Sequence, residues 1–122
     1  MNEDDLEKFG KWFVAEVYDK AVDDMEASMD GRLGGELAES DRLVLSRGSH
    51  DCRNIVRVLG PRMMLRVLHQ FLTQVEENQA IVLGVRGDDS GVTECKALSD
   101  GLSGDLWGWV EEYSRHGDPY RS

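Results

Sequence analysis

The chain has 122 residues, 40% of them hydrophobic and 31% charged, which is typical of one soluble globular domain. Its 24 acidic residues outnumber its 14 lysines and arginines, so the formal net charge is -10. A charge this negative excludes a general nucleic-acid coat, because the field of the protein repels phosphates. No apolar run exceeds four residues, so a membrane-spanning segment is not expected.

The cysteines and the N-terminus predict a cytoplasmic protein. Cys52 and Cys95 have neither the spacing of a metal site nor that of a redox motif. A chain of this size buries enough surface to fold without a disulfide, so we expect reduced thiols, with a single Cys52–Cys95 disulfide as the less favoured alternative. Residues 1–7 are acidic, whereas a secretory signal begins with positive charge followed by an apolar run.

The N-terminal quarter of the chain predicts one long helix over residues 4–29. Apolar residues recur there at steps of three and four, the period of a helical face: Leu6, Phe9, Phe13, Val17, Ala21 and Met25. This stripe winds around the helix, so the helix needs neighbours on more than one side or a bend, for which Gly10 is the candidate.

Glycine and proline divide the middle of the chain into three predicted helices, 36–47, one following the N-cap Ser49, and 61–79. Gly60-Pro61 is read as the boundary between the last two. The second of them has an apolar face of Cys52, Ile55, Val56 and Leu59, and Cys52 is expected to be inert and buried there. The third directs Met64, Leu65, Leu68, Phe71, Leu72 and Val75 inward.

The stretch 80–100 is ambiguous, because short apolar runs occur in both helices and strands. We favour a helix or loop, with a small β-hairpin near 81–96 around a five-residue loop as the alternative. The last helix is predicted to start at an N-cap Ser103 and to end near Arg115. The fold class is therefore predominantly all-α, a single-domain bundle of four or five helices over residues 1–122.

The aromatic residues are concentrated at the two ends of the chain, which hold eight of the nine. We expect the first and last helices to pack together through a shared aromatic layer. A homodimer contact is the main competing interpretation, and an aromatic cage for a cation is the weakest.

Charge is segregated along the chain. Residues 42–69 hold six arginines and one acid, a net +5 within a negative total. Arg53, Arg57, Arg62 and Arg66 form two pairs spaced by four residues and are the predicted binding residues. The opposite charge lies on the first helix, where five carboxylates at helical spacing form an acidic row: Glu16, Asp19, Asp23, Glu26 and Asp30.

Three interpretations of the acidic row compete. It is a solvated helix face, or it pairs with the arginines within the chain or across a dimer, or it holds a divalent cation. In the third case Glu16, Asp19 and Asp23 are the candidate Mg²⁺ ligands, with Glu36 and Glu39 as further candidates. Arginines beside such a site would bind the phosphates of a substrate.

The segment Gly35-Glu36-Leu37-Ala38-Glu39 resembles the start of a metal-binding helix in the all-helical nucleoside triphosphate pyrophosphohydrolases of the MazG kind. These enzymes hold Mg²⁺ with E-x-x-E and E-x-x-D pairs on adjacent helices, and Glu16 and Asp19 have the second spacing. The resemblance covers five contiguous residues. Where a second acidic pair should follow, Arg42, Arg47 and Arg53 occur, with Asp51 as the one acid, so membership of the family is not inferred.

The functional expectation is a small acidic protein-interaction module without a cofactor. It would bind a protein partner or a second copy through its acidic first helix, its arginine face or its terminal aromatic residues, and would bind neither nucleic acid nor membrane. The alternative is a Mg²⁺-dependent nucleotide pyrophosphohydrolase-like enzyme that uses the helix carboxylates.

Overall fold

The computed structural model describes residues 3–121 and is 69% helical, which confirms the predominantly all-α prediction. Three segments form one continuous N-terminal rod: α1 (Glu3–Trp12), a π-helical segment (Phe13–Tyr18) and α2 (Asp19–Met29). The other elements are α3 (Glu36–Ser46), α4 (His50–Glu77), β1 (Gly84–Arg86), β2 (Val92–Glu94), α5 (Cys95–Leu98) and α6 (Leu102–Tyr113). With the rod counted once there are five helices in the described part of the chain.

The winding apolar stripe of the rod is accommodated by the π-helical segment and not by a bend at Gly10. There the Asp19 N–H bonds the carbonyl of Val14, five residues back, so the chain is wound less tightly than in an α-helix. The residues that follow are therefore rotated relative to those of α1. This rotation lets Phe13, Tyr18 and Val22 all enter the core from one rod.

The helix α4 runs through Pro61, so the predicted boundary at Gly60-Pro61 is wrong. Proline removes one backbone hydrogen bond, yet the helix continues through it, with Leu65 buried one turn further on. Pro61 itself is buried, and α2 approaches so closely that a β-carbon on Gly60 would collide with the sulfur of Met25. Ser49 caps this helix as predicted, since its hydroxyl accepts the Cys52 N–H at 3.3 Å.

Residues 84–94 form a β-hairpin, so the alternative of a hairpin is confirmed and the preference for helix or loop is wrong. Val85 pairs with Thr93 in an antiparallel register. The loop closes through the Gly87 N–H and the Gly91 carbonyl at 2.7 Å, and Asp89 accepts the Gly91 N–H at 2.9 Å. These turn contacts favour the hairpin, and Leu83 and Val85 pack against the core from it.

One apolar core joins the rod, α4 and α6, and it confirms the predicted packing of the first helix on the last through aromatic rings. Phe9 and Trp109 lie edge to face with ring centroids 5.7 Å apart. Gly10 allows this approach, because a β-carbon there would lie 2.5 Å from the Trp109 ring. Glu7 accepts hydrogen bonds from the Trp109 indole at 3.2 Å and from the Tyr113 hydroxyl at 2.7 Å.

The start of α6 differs from the prediction, because its N-cap is Gly101 and not Ser103. The Ser103 N–H instead donates to the carboxylate of Glu76, at the end of α4. A carboxylate at a helix N-terminus satisfies a free N–H and opposes the positive end of the helix dipole. The contact ties the end of α4 to the start of α6.

Both cysteines are free thiols, and they lie in different surroundings. Cys95 is buried, which raises the pKa of its thiol. Cys52 is exposed, so its predicted burial is wrong, and a hydrogen bond from the Ser49 hydroxyl lowers the pKa of its thiol. Across residues 3–121, none of the helices is both long enough and apolar enough to cross a membrane.

Candidate functional site

The structure separates the members of the predicted acidic row. Asp19 is buried, with 2% of its surface exposed, and accepts hydrogen bonds from the Ser114 hydroxyl at 2.6 Å and the Arg115 N–H at 3.1 Å. The Ser114 hydroxyl in turn accepts the N–H groups of His116 and Gly117. Asp19 therefore anchors the turn that follows α6, and this buried carboxylate has a structural role.

The other carboxylates of the row make different contacts. Asp23 pairs with Arg115 and lies 2.9 Å from the His116 imidazole. Asp30 pairs with Arg32 at 3.1 Å and, across to α4, with Arg57 at 3.3 Å. Glu16 is exposed and lies 3.3 Å from Lys20 on its own helix. The acidic row thus contacts the arginines of residues 42–69 once, through Asp30 and Arg57. It contacts the C-terminal turn twice, through Asp19 and Asp23.

The five candidate metal ligands do not come together as one site. Among residues 3–121, no group of three or more histidine, cysteine or carboxylate side chains could hold a metal ion. Glu36 and Glu39 are exposed on α3, whereas Asp19 and Asp23 are hydrogen-bonded to the C-terminal turn. The hydrolase interpretation stays a prediction. An absence of Tm shift on addition of Mg²⁺ with a nucleotide would remove it.

The four predicted binding arginines lie on two sides of α4. At 100° per residue, the pair Arg53 and Arg57 is about 180° away from the pair Arg62 and Arg66. Arg57 pairs with Asp30, while Arg62 donates to the Pro119 carbonyl at 3.0 Å and lies over the Tyr120 ring. In the described part of the chain, Arg53 and Arg66 form no ion pair. The predicted single arginine face is therefore two separate pairs.

An exposed apolar row on the outer side of α4 is the main feature that the sequence did not predict. Five residues spaced by four form this outer row, which winds about 160° around the helix from its first member to its last because each step of four turns by about 40°. Between 42% and 68% of each is exposed: Ile55, Leu59, Met63, Val67 and Phe71. Ile55 and Leu59 were expected to face the core and are exposed, so that prediction is wrong for them. Phe71 was also expected in the core; it is 45% exposed, although its ring lies 6.2 Å from that of the core residue Phe13. The sequence does contain a pattern that indicates the row, an unbroken spacing of four residues between apolar side chains. The pattern is visible only when the helix is taken as continuous through Pro61.

The inner side of α4 explains why the outer row is left exposed. Leu65 and Leu72 are fully buried and pack in the core shared with the rod and α6. The core thus takes up one side of the helix. Val58 is a sixth exposed apolar residue beside the row, with 50% of its surface exposed.

The solvent-accessible surface of the whole chain is large for its mass. It measures 7877 Å², whereas a compact monomer of 13.7 kDa exposes about 6,600 Å². The difference is about 1,300 Å².

No protein-family model, no curated protein and no solved structure matches the chain. The functional argument therefore rests on the geometry described above.

Proposed function

We propose that the chain is a protein-interaction module that pairs with a second copy of itself through the outer row of α4. The single observation that carries the proposal is the row of five exposed apolar residues at i+4 spacing on one long helix. Exposed apolar patches of this kind mark interaction sites, because their burial releases water from apolar surface. We further propose that residues 1–122 act as a single helical domain in the cytoplasm, where free thiols persist.

The spacing of the outer row suits a symmetrical helix pair. Residues four apart form a ridge along a helix, and ridges of this kind from two helices interdigitate at a crossing angle of about -50°. In a two-fold arrangement each surface meets itself, so one row supplies both halves of the contact. With Met63 at the centre, Leu59 of each copy would lie near Val67 of the other.

The charge distribution along α4 permits this contact in a chain with a net charge of -10. α4 has no acidic residue between Asp51 and Glu76. Two of its arginines are held by their own chain, Arg57 by Asp30 and Arg62 by the C-terminal segment. Two copies can therefore meet along the row without bringing their acidic surfaces together, which would be repulsive.

The proposal is tested by measuring molar mass in solution with a charge placed inside the row. Val67→Glu introduces a carboxylate at a position that is 68% exposed, and glutamate is a good helix former, so the monomer should still fold. Val82→Glu is the matched control, because Val82 is 64% exposed and lies outside the row. We expect the wild type and V82E to be dimers that dissociate on dilution, and V67E to be a monomer.

Three outcomes would contradict self-association. The first is a wild-type protein that remains monomeric at every concentration measured by light scattering. The second is an equal loss of dimer in V67E and V82E, which would indicate a general effect of negative charge. The third is a monomeric wild type in which V67E abolishes binding to a different protein, which would assign the row to another partner.

A further inference from the structure

A cleft lies between α4 and the segment that follows α6. Its volume of about 610 Å³ is within the range of ordinary small-molecule sites, and it is shallow and broadly open to solvent. Six of its lining residues carry the argument: Arg66, His69, Trp107, Asp118, Tyr120 and Arg121. The cleft lies on the side of α4 that carries Arg62 and Arg66, the second of the two arginine pairs.

One wall of the cleft is aromatic. The rings of His69 and Trp107 have centroids 5.8 Å apart, and the Tyr120 ring stands edge-on to Trp107, also at 5.8 Å. Arg62, on α4, has its guanidinium 4.9 Å from the centroid of the Tyr120 ring. The same guanidinium donates to the Pro119 carbonyl at 3.0 Å. These contacts hold Tyr120 against α4 and beside Trp107, which remains partly exposed in the cleft.

The cleft offers more positive than negative charge to a ligand. Arg66 is exposed and has no ion pair among residues 3–121. The Asp118 side chain is 12% exposed, and its carboxylate accepts the Tyr120 N–H at 2.9 Å, so it is directed largely into the protein. Arg121 lies 3.2 Å from Glu111 and 3.9 Å from Asp118 and keeps 71% of its side chain exposed, so Arg66 is the cation of the cleft that makes no ion pair within the described residues. A free guanidinium is a strong donor to oxyanions.

The cleft is held in shape before any ligand arrives. Its C-terminal wall follows the turn at Ser114, which is anchored by the buried carboxylate of Asp19. Gly117 adopts a φ of +76° in that turn, a conformation that glycine reaches without strain. A site already in its bound geometry binds more tightly, because little ordering is required.

We propose that this cleft binds a small molecule with a planar ring and an oxyanion, either a carboxylate or a phosphate. The ring stacks on Trp107, and the oxyanion accepts hydrogen bonds from Arg66. Self-association is a separate property, since it depends on the outer row and is measured by molar mass. The opposite preference, for a cation held by the aromatic rings, is the alternative that the experiment must separate.

The test uses phenyl phosphate as the probe, measured by calorimetry on the full chain. Inorganic phosphate lacks the ring and phenol lacks the charge, so both should bind at least about tenfold more weakly than phenyl phosphate. Arg66→Gln should weaken phenyl phosphate about tenfold or more through the loss of a charge-assisted contact. Arg47→Gln is the matched control, because Arg47 is an exposed arginine outside the cleft, and its affinity should equal that of the wild type.

The location is checked by NMR. The indole N–H signal of Trp107, assigned by its loss in Trp107→Phe, should shift when phenyl phosphate is added. Benzoate carries a carboxylate on the same ring as phenyl phosphate, so tighter binding of one of these two probes shows whether the cleft prefers a carboxylate or a phosphate. Four results overturn the proposal: no binding of phenyl phosphate at about 10 mM, tighter binding of tetramethylammonium, equal losses in R66Q and R47Q, or an unmoved Trp107 signal.

Discussion

The two sides of α4 are similar in composition and opposite in burial. Leu65 and Leu72 on the inner side are fully buried, whereas Met63 and Val67 on the outer side are more than half exposed. The difference lies in what the described residues supply, because the rod and α6 pack against the inner side, whereas each member of the outer row keeps 42% or more of its surface exposed. An exposed apolar helix surface favours a neighbour that covers it, and we propose a second copy as that neighbour.

The largest effect is expected from removing the same side chain on each side of α4. Leu72→Ala should lower the free energy of unfolding by about 2–5 kcal/mol, because it leaves a cavity in a packed core. Leu59→Ala should lower it by less than about 1 kcal/mol when measured on the monomer. Urea denaturation at low protein concentration checks both values. Equal losses would mean that Leu59 is packed within its own chain, and the contrast between the two sides would fail.

The second-largest loss of stability is expected at the C-terminal turn. The segment that follows this turn contacts α4 through Arg62, which donates to the Pro119 carbonyl. Asp19→Ala removes a buried carboxylate and leaves the Ser114 hydroxyl and the Arg115 N–H without their acceptor. We expect a loss of about 2–3 kcal/mol in the free energy of unfolding. Glu16→Ala, in the same acidic row but exposed, should change it by less than about 0.5 kcal/mol. A small loss in D19A would show that water replaces the carboxylate.

Much of the fold could be predicted from the sequence, because local signals and long apolar periods agree with the final packing. The rod, the cap at Ser49 and the aromatic contact of the first helix with the last all follow from such signals. The predictions at Pro61 and at residues 84–94 failed for a common reason. In both places the conformation is decided by contacts between segments far apart or within a turn, and periodicity carries no information about them.

The candidate surfaces were less predictable than the fold. Helical spacing shows that a helix is apolar on several sides, but it does not show which side the chain will cover, so Ile55 and Phe71 were placed in the core. The buried role of Asp19 was equally hidden, because its hydrogen-bond partner Ser114 is 95 residues away along the chain. The spacing divided the arginines into two pairs but did not place these on two sides of one helix, and their contacts with Asp30 and Tyr120 depend on tertiary structure.

Two glycines lie where helices approach each other closely: Gly10, where the rod meets α6, and Gly60, where α4 meets the rod. Gly10→Ala should destabilise the protein by about 1–2 kcal/mol, because the new methyl group meets the Trp109 ring, which Glu7 and Phe9 hold in place. Gly60→Ala meets the flexible end of Met25, and the helix propensity of alanine offsets the contact, so a change near zero is expected. Thermal denaturation of both variants checks the order, and a larger loss in G60A would reverse our account of the two crossings.

The smallest effect concerns a hydroxyl buried inside the core. The Tyr18 hydroxyl has no hydrogen-bond partner among residues 3–121, and burial, together with the nearby charge of Asp19, raises its pKa to about 12. Tyr18→Phe removes an unpaired polar group, so we expect a gain of up to about 1 kcal/mol at neutral pH. Tyr120→Phe, at an exposed ring, is the control and should change stability little.

The pH dependence of stability provides an independent measure of the same hydroxyl. A tyrosine in the unfolded chain ionises near pH 10, so a folded pKa of about 12 means that the folded state keeps its proton longer. The contribution of the Tyr18 hydroxyl to the free energy of unfolding is then complete below about pH 10, and it is lost as the pH rises from about 10 to about 12. The Tyr113 hydroxyl donates to Glu7, which raises its pKa to about 12 and places its loss in the same window. Melting temperatures across this range should therefore fall less steeply in Y18F than in the wild type, and less steeply again when Tyr113→Phe is added. An unchanged slope in Y18F would show that the hydroxyl ionises as freely in the folded protein as in the unfolded chain, and that the core around it admits water.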